Sequence, residues 1–204
     1  MTSPADAFDR RNLLTFASLM CGVAAIAGAN DGKASVAGFF IAAAVIADTF
    51  DGRFARRFGN DPQRRALGIE LDSLADAIAF GIAPPLCAAL LLHQDMDVTG
   101  AALWGTVFVH AACAITRLAS FNLDAAASPP GGFIGIPVPL AALIWATALL
   151  VQPSAAATSA LILVTAAAMV LPLRVPRPTG AGLVLFTCWP VAVAFGHLAF
   201  AIRH

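Results

Sequence analysis

Charge is what this sequence has least of. Asp, Glu, Lys and Arg together make up 12% of its 204 residues, about half of the roughly 25% carried by an ordinary soluble domain. That scarcity argues against a water-soluble globule, and neither a soluble domain nor an internal repeat can be marked off along the chain. A basic domain is missing too, which excludes a nucleic-acid binder: the arginines between 53 and 65 sit between hydrophobic segments. Cysteine occurs only as four scattered residues, Cys21, Cys87, Cys113 and Cys188, with no CxxC pair and no metal-ligand spacing. They read as small buried hydrophobes rather than as disulfides or ligands.

What is present is apolar surface, at 59% of residues. It lies in long runs, each near the roughly 20 residues needed to cross a bilayer. Seven segments can be drawn, at about 12–29, 34–55, 68–92, 101–121, 136–151, 155–173 and 180–201. Turn signals separate them: Asn30-Asp31-Gly32, Gln152-Pro153-Ser154, and Arg174-Val175-Pro176-Arg177-Pro178, where proline cannot continue a helix. Backbone groups in lipid must be satisfied within the segment. The expected fold is therefore all-α, a polytopic transmembrane helix bundle of about seven spans forming one domain over 1–204.

The basic residues set an orientation. With a cytoplasmic N-terminus, seven spans leave Arg10, Arg11, Arg53, Arg56, Arg57, Arg64, Arg65, Arg117, Arg174 and Arg177 inside, and only Lys33 and Arg203 outside. Ten against two is a strong positive-inside bias, and the acidic loop with Asp95 and Asp97 then faces outward. Arg10 and Arg11 before an apolar run also resemble a secretory signal. The length of the run and the segments that follow favour a retained first helix. Alanine and the interspersed Gly28, Gly38, Gly81, Gly105 and Gly182 suit close helix packing in lipid. His110, inside a span, is expected to make a helix-contact hydrogen bond.

Four aspartates stand out against this background. Asp48 and Asp51 lie at the inner end of the second segment, and Asp72 and Asp76 near the start of the third. On a helix, residues three or four apart share a face. Each helix thus presents two carboxylates, and an antiparallel pair brings all four to one membrane depth. Aspartate within a span costs roughly 2.5–3.5 kcal/mol at the helix centre on insertion scales, and mutual repulsion adds to that cost. Divalent cations, which prefer oxygen ligands, remove the conflict, and two of them could clamp a pyrophosphate. The alternative is a set of interfacial aspartates paired with Arg53, Arg56 or Arg57. Gly52, Ala55 and Gly68 leave room for a ligand to lie against the backbone. Arg56 is either a phosphate-binding fork or a positive-inside anchor.

The pattern Asp48-x-x-Asp51-Gly52-x-x-Ala55-Arg56, followed by Gly68-x-x-x-Asp72-x-x-x-Asp76, resembles the signature of the CDP-alcohol phosphotransferases. The stretches from Glu70 to Asp76, Phe80 to Pro84, Arg117 to Asn122 and Gly135 to Pro139, with Asn12-Leu13-Leu14, are similar to the phosphatidylserine synthase branch. The resemblance covers most of 11–140. Two departures are a longer connection between Arg56 and Gly68, and Ser120 where the branch often has arginine.

That resemblance implies transfer of a phosphatidyl group from CDP-diacylglycerol to L-serine, giving phosphatidylserine and CMP, in a bacterial inner membrane with the active site cytoplasmic. It implies two Mg2+ or Mn2+ ions on Asp48, Asp51, Asp72 and Asp76, with Asp76 also the general base. It implies a cytidine nucleotide site lined by Asp48, Gly52, Ala55, Arg56 and Gly68, and a homodimer. For the acceptor, Arg117 is the candidate partner of the serine carboxylate, with Asn122 beside it; snorkelling to the interface is the other role open to Arg117. Other alcohols, glycerol 3-phosphate or inositol phosphate, remain alternatives that want more cationic groups. A divalent-cation carrier or binding protein is a non-enzymatic one.

Overall fold

The computed structural model describes residues 4–59, 61–95, 101–127, 133–175 and 179–203. Two short 3-10 turns, Pro4–Ala7 and Arg10–Asn12, lead into α1 (Leu13–Asn30). A turn through Gly32, at φ +74°, reverses the chain into α2 (Ala34–Ala55). A 3-10 turn, Arg56–Phe58, ends α2, and α3 (Pro62–Asp76) follows. A π-helical turn, Ala77–Ile82, joins α3 to α4 (Ala83–Asp95). Then come α5 (Ala101–Ala127), α6 (Val138–Ala148), α7 (Ala155–Val170) and α8 (Ala181–Arg203).

The third helix begins about six residues before its apolar run. Asp61 caps it, accepting from the Gln63 amide at 3.0 Å, and Pro62 occupies the first helical position. Both are strong start signals that need no hydrophobicity. Asn60, Asp97 and Arg177, in the expected loops, lie outside the described residues.

Among the described residues, five helical segments are long and apolar enough to cross a bilayer: Arg10–Asn30, Ala34–Phe58, Pro62–His93, Ala101–Leu123 and Gly182–Ile202. The remaining two apolar segments fold into shorter helices than their hydropathy implied. α6 has 11 residues, a rise of about 16 Å, because Pro137 starts it late and the chain turns again before Gln152 at φ +45°. α6 and α7 form a hairpin. Its two ends are tied by an antiparallel pair, β1 (Phe133–Ile134) with β2 (Arg174–Val175), and by the Ile136 amide donating to Ala168 O at 3.0 Å.

α2 is the hub, packing against α1, α4, α6 and α8. Its buried face, including Ala37, Ile41, Ala44 and Val45, meets Ala25, Phe80, Val138 and Leu143 in one core. Small residues set the helix spacing. A Cβ on Gly22 would stand 2.8 Å from Ala79 Cα, and one on Gly81 would stand 2.9 Å from Ala114 Cβ. Large apolar side chains such as Phe108, Leu185, Phe195 and Ile202 point outward. The protein is a polytopic helical membrane protein whose outer surface suits lipid. The four cysteines are free thiols; Cys87 is buried and Cys188 exposed.

Candidate functional site

The end of α2 and the length of α3 bring the acidic residues together. One carboxylate oxygen from each of Asp48, Asp72 and Asp76 lies within 4.8 Å of the other two. Asp76 is buried and Asp48 and Asp72 are half-buried. Asp51 belongs to the same electrostatic cluster, acting on Asp48, Asp72 and Asp76, but it stands outside that closest trio. Its Oδ2 accepts a hydrogen bond from Thr15 Oγ1 at 2.7 Å. Its Oδ1 is buried with no donor group bonded to it, and the Asp51 and Asp72 carboxyls are in side-chain contact.

Among the described residues, none of these aspartates makes an ion pair with Arg53, Arg56 or Arg57; the ion pairs formed involve Asp9, Asp31 and Asp61. Neutralisation by Arg53, Arg56 or Arg57 is therefore not the arrangement adopted. A set of hard oxygen donors this close together, with an orphaned carboxylate oxygen beside it, fits a divalent cation. The three converging carboxylates are one acidic site able to hold such an ion.

The predicted nucleotide residues flank this cluster. Gly52 is exposed, and a Cβ built there would meet nothing nearer than the Arg56 guanidinium at 4.0 Å. Arg56 itself is exposed and Ala55 half-buried. Gly68 packs closely on the turn that leads into α1: a Cβ there would lie 3.3 Å from Asn12 Oδ1. Part of the reason for glycine at 68 is thus helix packing, whereas Gly52 leaves an open face.

Arg117 on α5 is buried rather than extended to an aqueous interface. It attracts Asp76 and lies over the Phe121 ring, 5.0 Å from its centroid. Asn122, one turn further on, donates to Ser73 Oγ at 2.8 Å, which fastens α5 to the α3 segment carrying Asp72.

Three features around the site carry little or no signal in the sequence. The first is Thr15, a polar residue in an apolar run. Its spacing of three from Asn12 and Ser18 is the one signal the sequence offers. The second is the π-turn directly after Asp76. The helix-contact bond expected of His110 is made to this turn: its Nδ1 sits 3.1 Å from the Gly81 carbonyl, which supplies a partner to a backbone group where the helical ladder is irregular. The third is a polar strap from the N-terminal segment. Asp9 Oδ2 meets Arg64 at 3.1 Å, Arg64 meets Asp61 at 3.5 Å, and Arg11 donates to Phe58 O. The connection from α2 to α3 is thereby tied down beside the aspartates.

Comparison with known proteins agrees with this geometry. Residues 11–173 match the sequence profile of the CDP-alcohol phosphatidyltransferase family. The chain is 38% identical over 133 residues to a CDP-diacylglycerol–serine O-phosphatidyltransferase of Helicobacter pylori, covering 65% of this chain and 54% of that protein. It is 37% identical over 135 residues to the Mycobacterium leprae protein of that name, with 64% and 43% covered. It is 30% identical over 131 residues to the Bacillus subtilis one, with 64% and 70% covered. The chain spans about half the length of the Helicobacter and Mycobacterium relatives it matches. The profile match over most of its length, on a helical bundle with clustered aspartates, establishes that the chain belongs to the CDP-alcohol phosphatidyltransferase family.

Proposed function

We propose that this protein transfers the phosphatidyl group of CDP-diacylglycerol to L-serine, giving phosphatidylserine and CMP. The observation that carries the reading is the convergence of Asp48, Asp72 and Asp76 oxygens within 4.8 Å, at the meeting of two helices in a chain of this family. Relatives named for serine transfer support the choice of acceptor.

In this reading Asp48, Asp51, Asp72 and Asp76 hold two Mg2+ or Mn2+ ions, which when bound neutralise the pyrophosphate and stabilise the leaving CMP. Gly52 offers an open backbone face for the cytidine nucleotide, with Asp48, Ala55 and Gly68 around it and Arg56 in reach of a phosphate. The serine hydroxyl oxygen forms a bond to the lipid-side phosphorus as the bond from that phosphorus to the CMP oxygen breaks. Asp76 takes the hydroxyl proton, and Arg117 beside it compensates charge and receives the serine carboxylate. Asn122 uses its amide on Ser73, which leaves its carbonyl oxygen for the serine ammonium. The ten-to-two distribution of basic residues supports a cytoplasmic N-terminus and a site on the cytoplasmic face, in a bacterial inner membrane.

An acceptor screen tests this. Purified protein with CDP-diacylglycerol, Mn2+ and radiolabelled serine should release CMP and form labelled phosphatidylserine in equal amounts, and EDTA should stop both. Turnover with glycerol 3-phosphate or inositol phosphate, and none with serine, would reassign the acceptor. Absence of CMP release with every acceptor, alongside metal uptake indifferent to nucleotide, would favour a cation-binding protein instead.

A further inference from the structure

We propose that Thr15 is a positioning residue for Asp51, its hydroxyl holding one carboxylate oxygen so that the other is presented to the acidic cluster. The inference deepens the metal reading above and rests on it.

Thr15 is unlike the other helical threonines among the described residues, all of which donate to a nearby carbonyl of their own stretch of chain. Thr106 and Thr158 donate to Leu103 O and Pro153 O, and Thr49, Thr147, Thr165 and Thr187 each donate to the carbonyl four residues back, on Val45, Leu143, Leu161 and Leu183. That back-bond is the usual local outlet for a threonine hydroxyl within a helix. Thr15 instead reaches from α1 to a carboxylate on α2, at 2.7 Å, with both partners buried. A hydroxyl donating to a buried carboxylate is a stronger bond than one between neutral groups, and it fixes which oxygen remains available.

The remaining oxygen, Asp51 Oδ1, is buried with no donor group bonded to it, and the neighbour in side-chain contact with Asp51 is another acid, Asp72. Such a group is costly unless something satisfies it. The nearest source of satisfaction is an ion shared with the neighbouring acids, since Asp51 is the foremost charged neighbour acting on Asp72. The register of α1 agrees. Asn12 abuts Gly68 and Gly22 abuts Ala79, so α1 and α3 run side by side and Thr15 stands at the depth of Asp72. α1 thereby supplies the third wall of a site whose acids all come from α2 and α3. Valine has nearly the same shape as threonine but lacks the donor, and serine keeps the donor but lacks the methyl group.

The test is Mn2+ binding to the solubilised full chain, followed by the electron paramagnetic resonance signal of free Mn2+, without turnover. Loss of a group that orients a metal ligand weakens affinity by about 10–100-fold. Thr15→Val is expected to fall in that range and Thr15→Ser to stay near wild type. In an Asp51→Asn background, Thr15→Val should have no further effect, since the two residues act as one unit. Should Thr15→Val fail to fold, Thr15→Ala removes the same donor with less bulk and is compared in both backgrounds. Unchanged Mn2+ affinity in the variant lacking the hydroxyl, or an equal loss with Asp51→Asn already present, overturns the assignment of Thr15 alone. Wild-type protein that binds no Mn2+ overturns the metal reading and this inference together.

Discussion

Arg117 on α5 and Asp76 at the end of α3 attract one another beside the π-turn on which α5 packs, and the same guanidinium lies over Phe121. A buried cation beside the proposed base can serve two ends, compensating Asp76 and receiving the acceptor's carboxylate. Arginine suits this because its planar fork stacks and pairs at once. Arg117→Lys keeps the charge but loses the plane. Its KM for serine should rise about tenfold or more, the scale of one lost charge-assisted bond, with the KM for CDP-diacylglycerol nearly unchanged. Steady-state kinetics with each substrate varied in turn decides this; an unchanged serine KM would remove Arg117 from the acceptor site.

Asp76→Asn separates chemistry from binding. The amide keeps an oxygen in the same position but cannot accept the hydroxyl proton. A general base is worth about 10²–10⁴-fold in rate, so kcat should fall by that order while CDP-diacylglycerol still binds. Single-turnover CMP release and a separate binding measurement give the two numbers. Turnover within a few-fold of wild type would exclude Asp76 as the base.

Much of this architecture is legible in the sequence, because lipid makes hydropathy and charge asymmetry nearly sufficient to find helices. The spacings of Asp48 with Asp51, and of Asp72 with Asp76, fix faces by helical geometry alone. What escapes is whatever depends on neighbours. Gln152-Pro153-Ser154 announces a turn, but apolar composition cannot reveal that α6 already stops at Ala148, after 11 residues. The π-turn after Asp76 is stabilised from another helix by His110, and no local pattern announces it. Asp51 looks equivalent to the other three acids until Thr15, 36 residues away, is seen to occupy one of its oxygens.

Gly52 and Gly68 sit in one motif yet should respond differently to alanine. At Gly52 a methyl group enters open space, touching at most Arg56 at 4.0 Å. Gly52→Ala should fold with wild-type stability, so an increase in KM for CDP-diacylglycerol would report on the nucleotide itself. At Gly68 the methyl group comes within 3.3 Å of Asn12 Oδ1, and Asn12 is held by donating to Ala7 O at 2.9 Å. Gly68→Ala should therefore also lower the melting temperature in detergent. Equal melting temperatures for the two variants would refute the distinction.

Gly38 lets α8 pack against α2. A Cβ at that position would run into the imidazole of His197, which is buried and bonded through Nε2 to the Ala146 carbonyl at 2.7 Å. One glycine thus permits a three-helix contact among α2, α6 and α8. Gly38→Ala forces the ring aside, and overpacking of this kind costs about 1–3 kcal/mol. The loss should appear as a lower unfolding midpoint in a denaturing-detergent titration. His197→Ala in the same chain should recover part of it by opening space, although it forfeits the bond to Ala146. Position 38 is about 15 Å along α2 from Asp48 at the helical rise, so metal affinity at low temperature should be nearly unaffected. If Gly38→Ala left the midpoint unchanged, or His197→Ala made it worse, close packing of α8 on α2 would not depend on this glycine.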